Sequence, residues 1–437
     1  MSLQNTRRPD QYVGPRHRRE QQAVVGILRH LFGKIPVALE LQGQGVVALN
    51  DMEPEVVIAP PSLTQIFFIM RDPSFYLPEA FVKGHWYVES GNLADLVVLL
   101  HNRRGAKPPN RGVFGGLIRT FLHVRKQYIQ PLLTREVKTH YNSNSKLFEL
   151  ILGPSMVYSC AFFDEDHKTL EEAQENKLST TMSRLGVEPD RPAKILDIGC
   201  GWGSFAEHAA SHRGVHVDGI SIAQSQIEYA SDRTKSSELA GSTEFLVADY
   251  RGFDREHAES YDHIVSIGML EHVGKTQYPV FFKSVYALLK VNGTAVIHSI
   301  VRRNDGRMNP WLDKYIFPGG FVPRASEVLR GIEVSGLTAS VNYFHAGENY
   351  KRTLSQWLRN LTSNREQALE ILAGDVDAIA ASQGRTLEPS KRRYLAECAF
   401  RKWEFYLAGI QVIFDRSGGN FDVCQFKVVK EDRTFWT

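Results

Sequence analysis

Leu196-Asp-Ile-Gly-Cys-Gly-Trp-Gly203 joins the apolar run Lys194–Ile198 to the helical pattern Trp202–His212. A strand that ends in closely spaced glycines and opens a helix is a ligand-binding turn, because glycine lets the backbone bend tightly and approach a bound group without a Cβ clash. Working outward, further strands are expected at Val215–Ile220, Glu244–Ala248, His263–Ile267 and Thr294–Ile300, with helices at Ser225–Ser236 and Tyr278–Leu289. This alternation predicts an α/β fold built on a doubly wound, largely parallel sheet. Residues 351–415 read as an uninterrupted helical insert, and Asp422–Val429 as a late strand suited to antiparallel pairing. Such an insert fits a lid over the carboxyl ends of the strands, where open α/β sheets bind ligands.

The loops at that edge carry the chemistry. Asp197 followed by Gly199, Gly201 and Gly203 gives Gly-x-Gly-x-Gly, not the Gly-x-Gly-x-x-Gly of nicotinamide-binding folds. It is the spacing methyltransferases use for the methionine end of S-adenosylmethionine. After the second strand, Ser221-Ile-Ala-Gln-Ser-Gln226 offers polar groups to ribose hydroxyls. After the third, Asp249-Tyr250-Arg251 can read an adenine amine and cover its ring. After the fourth comes Gly268-Met-Leu-Glu271-His272-Val-Gly274.

Ahead of this region, residues 1–20 read as a disordered basic tail and residues 21–100 as a small α+β domain. That domain is expected to hold a helical start at Ala23–Leu31, strands near Val37–Leu41, Val46–Leu49 and Val56–Ile58, a helix near Ser62–Asp72, and the apolar helix Leu93–Leu100. Residues 101–136 form a basic linker with an amphipathic bridging helix, Leu117–Leu133. Net charge is only +3, but no Asp or Glu occurs from Leu96 to Arg135, where Arg103, Arg104, Lys107, Arg111, Arg119, Arg125, Lys126 and Arg135 fall. That stretch suits an anionic surface, phospholipid or nucleic acid, and equally a solvated linker. No nucleic-acid methyltransferase signature follows the fourth strand, so nucleic acid is not expected as a partner. The four cysteines, Cys160, Cys200, Cys398 and Cys424, lack metal spacing and fit reduced thiols, so no metal site is expected. No signal-like segment opens the chain and no apolar run approaches the ~18 residues that span a bilayer. The expected location is therefore cytoplasmic, peripheral at the inner face of the membrane.

Tyr158-Ser-Cys-Ala-Phe-Phe163, Ala173-Gln-Glu-Asn-Lys-Leu178, Leu196–Gly203, Gly219-Ile-Ser-Ile-Ala-Gln-Ser-Gln226, Ser266-Ile-Gly-Met-Leu-Glu-His-Val-Gly274, His298-Ser-Ile300 and Tyr350-Lys-Arg-Thr-Leu-Ser-Gln-Trp357 together resemble the cyclopropane fatty acid synthase family of S-adenosylmethionine-dependent methyltransferases. The likeness runs from about Val137 to the end, implying a class I (Rossmann-like) catalytic domain over residues 137–437. Around Gly84-His-Trp86 it implies, more weakly, the family's N-terminal lipid-binding domain. It also implies methylene transfer to the cis double bond of an unsaturated phospholipid acyl chain, with a carbocation deprotonated by bound bicarbonate. A homodimer is expected at family level only.

By that resemblance the cofactor contacts are Tyr158, Ser159, Gly199, Gly201, Gly203, Ser221, Gln226, Asp249 and Tyr250. The bicarbonate residues are Cys160, Glu271, His298 and Tyr350, with backbone near Gly268 and Ile300. Protonated His298 and the Tyr350 hydroxyl are expected as donors to the anion, and Glu271 as the acceptor that orients it. Simpler roles stand beside these: Cys160 as a small buried hydrophobe, His298 as a satisfied strand-end residue, and Tyr343 as a rival to Tyr350. His272 and the tryptophans Trp311, Trp403 and Trp436 read as structural. Phe162, Phe163 and Ala223-Gln-Ser depart from the family's commoner residues. Other readings of the same residues are a lipid C-methyltransferase giving a methylene- or methyl-branched chain, an N-methyltransferase, and a non-catalytic lipid-binding protein.

Overall fold

The computed structural model describes residues 15–102, 145–188, 191–306, 308–415 and 419–432. Most of the basic linker and its bridging helix, the first fourteen residues and Trp436 lie outside them. The first helix, Pro15–Phe32, begins inside the stretch read as a tail and eight residues ahead of the expected helical start. It buries Val24 and Leu28, one turn apart, against a small sheet.

That sheet has the order β2-β1-β3-β4, formed by β1 (Val37–Leu41), β2 (Gly45–Ala48), β3 (Val56–Ala59) and β4 (Tyr87–Ser90). A helix absent from the sequence reading, Pro73–Val82, precedes β4; Pro73 opens it, where the missing N–H is no loss. Trp86 is buried and donates its indole N–H to the Leu77 carbonyl at 3.0 Å. Phe81 lies 5.5 Å and Trp86 6.5 Å, ring to ring, from Phe405 of the helical insert, so this sheet's core continues into the larger unit.

The central sheet has seven strands in the order β10-β11-β9-β8-β5-β6-β7. Five are parallel: β5 (Ala193–Ile198), β6 (Val215–Ser221), β7 (Ser242–Val247), β8 (Tyr261–Ile267) and β9 (Leu289–Arg302). β10 (Thr338–His345) and β11 (Phe421–Val429) close one side, with β11 antiparallel to both neighbours. From β5 the chain winds outward through β6 and β7, then crosses to β8 on the opposite side. The carboxyl end of β5, which carries the glycine turn, is therefore the topological switch point where a crevice opens.

The insert forms three helices, Glu348–Ser363, Arg365–Ser382 and Pro389–Gly409, between β10 and β11. Its apolar face reaches the glycine turn through Phe148 of the helix Ser145–Leu152. Phe148 packs 4.7 Å from Trp202 and 5.4 Å from Trp403, and Trp311, Trp357 and Trp403 are buried in the same cluster. The insert thus packs against the residues around the crevice through aromatic contacts, although none of its three helices contributes a residue to the lining of the cavity there.

Gly203 belongs to this framework, not to the crevice wall. Its φ is +83°, and an added Cβ would come 2.8 Å from Ala230 Cβ and 3.1 Å from Phe245 Cζ. It lets the helix Ser204–Ala210 sit close against its neighbours. Gly203→Ala should therefore lower unfolding free energy by roughly 2–4 kcal/mol, from left-handed strain and overpacking together. Urea denaturation at equilibrium measures this, and a loss below about 1 kcal/mol would contradict it.

Candidate functional site

A cavity of about 540 Å³ opens at the switch point. Tyr158, Ser159, Gly199, Gly201, Ser221, Gln226, Asp249, Tyr250 and Gly268 line it, so eight of the nine expected cofactor contacts share one space. The exception is Gly203. Gly201, at φ +55°, has nothing within 4 Å of where a Cβ would stand, and so leaves room for a ligand against the backbone. Ser221 Oγ donates to Gln226 Oε1 at 2.9 Å and accepts from the Ala223 N–H at 3.2 Å, which presets the loop after β6. Asp249 accepts from the Arg251 backbone N–H at 3.0 Å and from its guanidinium. Burial works against the Asp249 carboxylate, but those Arg251 contacts outweigh it and hold the pKa below the ordinary value. Tyr250 packs edge-on to Phe281, so the adenine-side wall is rigid. The residues present fit S-adenosylmethionine.

Cys160, Glu271, His298, Ile300 and Tyr350 do not line this cavity; Cys160 and Glu271 each adjoin a lining residue in the chain, Ser159 and His272, and Ile300 and Tyr350 pack in the cluster that holds the lining residues Tyr158 and Trp202. Glu271 lies in the same loop as Gly268. Its Oε1 accepts from the Ile300 N–H at 2.7 Å, while its buried Oε2 has no hydrogen-bond partner among the described residues. Burial pushes its carboxyl up to about 7, against the pull of the Ile300 hydrogen bond. His298 lies in the buried run of β9, and its carbonyl accepts from the Gly268 N–H at 2.9 Å. Cys160 follows the cavity residue Ser159, is fully buried, and donates to the Ala161 carbonyl. Burial raises its pKa far enough to keep it a thiol. Tyr350 opens the insert, 4.5 Å from the ring of Phe414, within the aromatic cluster that also takes in Tyr158 and Ile300. Its rival Tyr343 lies on β10 beneath the guanidinium of Arg184, 3.9 Å away.

Two expectations need correction. His298 is not protonated: burial and the positive charge of Lys177 drive its pKa well down, so it is a neutral imidazole. His272, read as structural, lines the cavity and is held at about 4 by burial. The residue the sequence reading passed over is Lys177. It is fully buried, reaches the cavity, and donates to Ser159 Oγ at 3.1 Å. Burial pulls its ammonium pKa down and pushes the Asp197 carboxyl up, and each charge tempers the other. Its signal was positional: Gln174, Lys177 and Thr181 share the buried stripe of the helix Leu170–Leu185 with Ala173, Leu178 and Met182. Polar residues on a core stripe call for partners.

Bicarbonate meets a partial fit among these residues. An orphaned carboxyl oxygen, a neutral imidazole and a thiol are present, and Lys177 is the nearby cation. At the amino ends of β6 and β7, far from the cavity, His216, Asp218 and Glu244 could together approach a metal ion. However, His216 already bonds Ser242 and Asp218, and Asp218 also accepts from Tyr261 and Lys194.

The Glu271 shift has a stability consequence. The folded pKa of about 7 exceeds the ordinary 4.5, so the folded chain binds this proton more tightly than the unfolded one does. That contribution is complete below about pH 4.5 and declines as pH rises to about 7, by about 3 kcal/mol in total. Glu271→Gln removes it. The variant should gain stability relative to the parent between pH 5 and 8, as measured by denaturant titration at each pH. A constant difference would refute the buried, uncompensated carboxyl.

The sequence pattern of the family described as mycolic acid cyclopropane synthetase matches residues 131–381. Cyclopropane-fatty-acyl-phospholipid synthase of Escherichia coli (strain K12) is 30% identical over 329 residues, 74% of this chain and 80% of its own. Cyclopropane mycolic acid synthase 2 of Mycobacterium leprae (strain TN) is 31% identical over 338 residues, 70% of this chain and 96% of its own. Mycolic acid cyclopropane synthase CmaA1, solved with SAH and CTAB, superposes with a TM-score of 0.57 at 28% identity, covering 68% of this chain and 98% of that one. With the glycine turn, the ordered loops and the cavity in place, these likenesses assign the chain to the cyclopropane synthase family of S-adenosylmethionine-dependent methyltransferases.

Proposed function

We propose that this enzyme transfers a methylene group from S-adenosylmethionine to the cis double bond of an unsaturated acyl chain in a membrane phospholipid, closing a cyclopropane ring. The observation that carries the reading is the buried Glu271 carboxyl, one oxygen of which has no hydrogen-bond partner among the described residues, in the loop whose Gly268, Met269 and His272 line the cavity that suits the methyl donor. The alkene π pair takes the methyl carbon and the sulfur keeps the old bonding pair, which leaves a cation on the acyl chain. A proton of the new methyl then departs, and its C–H pair closes the ring.

Residues of the chain serve each stage. The Gly199–Gly201 turn, Asp249 and Tyr250 hold the donor. Beyond the nucleoside side the cavity continues past Leu312, Phe321, Ile413 and Phe421, an apolar path suited to an acyl chain. Holding the two reactants in line lowers the barrier by ~7–11 kcal/mol in well-oriented systems. The aromatic cluster of Tyr158, Trp202, Tyr350 and Trp357 offers electron-rich faces near the cation. Cys160, Glu271, His298 and Tyr350 would hold bicarbonate, which supplies a proton acceptor when bound, while the N–H groups of Gly268 and Ile300, given to the His298 carbonyl and to Glu271, fix the frame around it. Glu271, anchored at Oε1, orients that acceptor through its second oxygen. Lipids extracted from cells expressing the protein should gain one CH2 and lose the double bond, as measured by mass spectrometry with alkene-specific cleavage. A retained alkene would instead identify a methylene-branched product, and an unchanged acyl chain with a methylated headgroup amine an N-methyltransferase.

The approach to the lipid is proposed to run through the N-terminal sheet domain, from the water side of an anionic bilayer. No helix among the described residues is long and apolar enough to cross a membrane. The short helix Leu63–Arg71 instead exposes Phe67 at 67% and Met70 at 53%, beside Phe68 and ahead of Arg71. Phe67→Ser combined with Met70→Ser should weaken sedimentation with anionic vesicles at least about tenfold, since two large apolar side chains lose their insertion. Unchanged sedimentation, or binding indifferent to salt and anionic lipid, would refute this docking face.

A further inference from the structure

His298 is joined to the helix Leu170–Leu185 and the edge strand β10 by a hydrogen-bond chain whose direction is fixed by chemistry. Arg184 has only donors. It gives one hydrogen bond to Gln425 Oε1 and one, at 2.9 Å, to His345 Nε2. The Gln425 amide therefore turns its oxygen to Arg184 and its nitrogen inward. A second constraint agrees. Thr181 uses its only hydroxyl hydrogen on the Lys177 carbonyl at 2.7 Å, so at 2.9 Å from Gln425 Nε2 it must accept. The remaining amide hydrogen of Gln425 points at His298 Nδ1, 3.2 Å away. His298 Nδ1 is then an acceptor, and the ring's single proton sits on Nε2, for which there is no partner among the described residues.

We propose that Gln425, oriented by Arg184 and Thr181, is a positioning residue that locks His298 as the neutral Nε2–H tautomer, making it a hydrogen-bond donor to the bound anion and barring it from taking the methyl proton. The catalytic half of this rests on the anion site put forward above. The surroundings agree with the lock. Lys177 and Arg184 on the helix Leu170–Leu185 and His345 on β10 all oppose a charge on the ring, and Phe162 covers His298 and His345 with its stacked face. A second proton at Nδ1 would lack an acceptor there. A ring that only donates can orient an oxyanion, yet it leaves proton removal to another group.

The test is the 15N spectrum of protein labelled at histidine, with the His298→Asn variant identifying the signal. The parent should show Nδ1 bare and Nε2 protonated across the neutral range. Gln425→Glu places an acceptor opposite Nδ1 and should move the proton to it. It should also lower kcat roughly tenfold or more, while the Kd for S-adenosylmethionine changes less than about threefold. Arg184→Lys keeps a donor for the amide oxygen and should retain the parent spectrum, whereas Arg184→Met should lose it. A protonated Nδ1 in the parent overturns the lock without need of any variant, as does an unaltered tautomer in Gln425→Glu. If the tautomer moves as expected and kcat does not, the lock stands and the part of His298 in the anion site is what fails.

Discussion

A carboxyl group shut away from water must stay neutral or find donors, and Glu271 meets that demand halfway. The Ile300 N–H satisfies one oxygen, and the other has no hydrogen-bond partner among the described residues. Leaving a buried polar atom unpaired costs on the order of 1–3 kcal/mol, so such an atom is a strain that the rest of the fold has to carry. It is carried by β9, the most central of the long strands, whose end presents the Ile300 amide. The same strand accepts from the Gly268 N–H, which ties the Glu271 loop to the sheet.

The rest of the molecule follows from keeping that carboxyl dry while leaving the cavity its loop lines open. Parallel strands buried on both faces need covering on each side. The insert supplies the cover at the ligand edge through Trp357, Trp403 and Tyr406, the last meeting the Tyr158 hydroxyl at 3.0 Å. Hydrogen bonds from the Ala161 and Phe163 N–H groups to Thr353 and Asn349, and from Asn360 to the Ile151 carbonyl, fasten the insert further, so the donor site is preorganised. Lys177 and Asp197 extend the buried polar layer beneath the glycine turn, and their charges are mutually dependent. The N-terminal sheet domain leans on the same insert through Phe405. The docking face proposed for that domain and the catalytic unit are thereby coupled through one helix.

Much of this was legible in the sequence because the signals were local. The parallel strands are short apolar runs, and the glycine turn needs residues that only glycine supplies at φ near +80°. The strand β10 escaped because, at the sheet's edge, most of Thr338–His345 is exposed and its alternation of Ala339, Val341 and Tyr343 with polar residues is brief. The helix Pro73–Val82 escaped because its two prolines read as breaks, although Pro73 stands where a helix tolerates it. The expected reach of Gly203 into the cavity failed because a packing glycine and a ligand-facing glycine look alike in sequence. Gln425 could not be seen at all. Its meaning comes from Thr181, which lies 244 positions away and becomes a neighbour only when β11 returns to the sheet.

The account stands or falls on Glu271 acting in turnover and not in donor binding. Its direct measurement is steady-state turnover of Glu271→Gln beside calorimetric binding of S-adenosylmethionine to the same protein. Loss of a group that orients a proton acceptor should cut kcat by roughly a hundredfold or more, with the donor's Kd within about twofold of the parent. Near-parental turnover, or a fall in activity fully matched by weaker donor binding, would contradict the central claim.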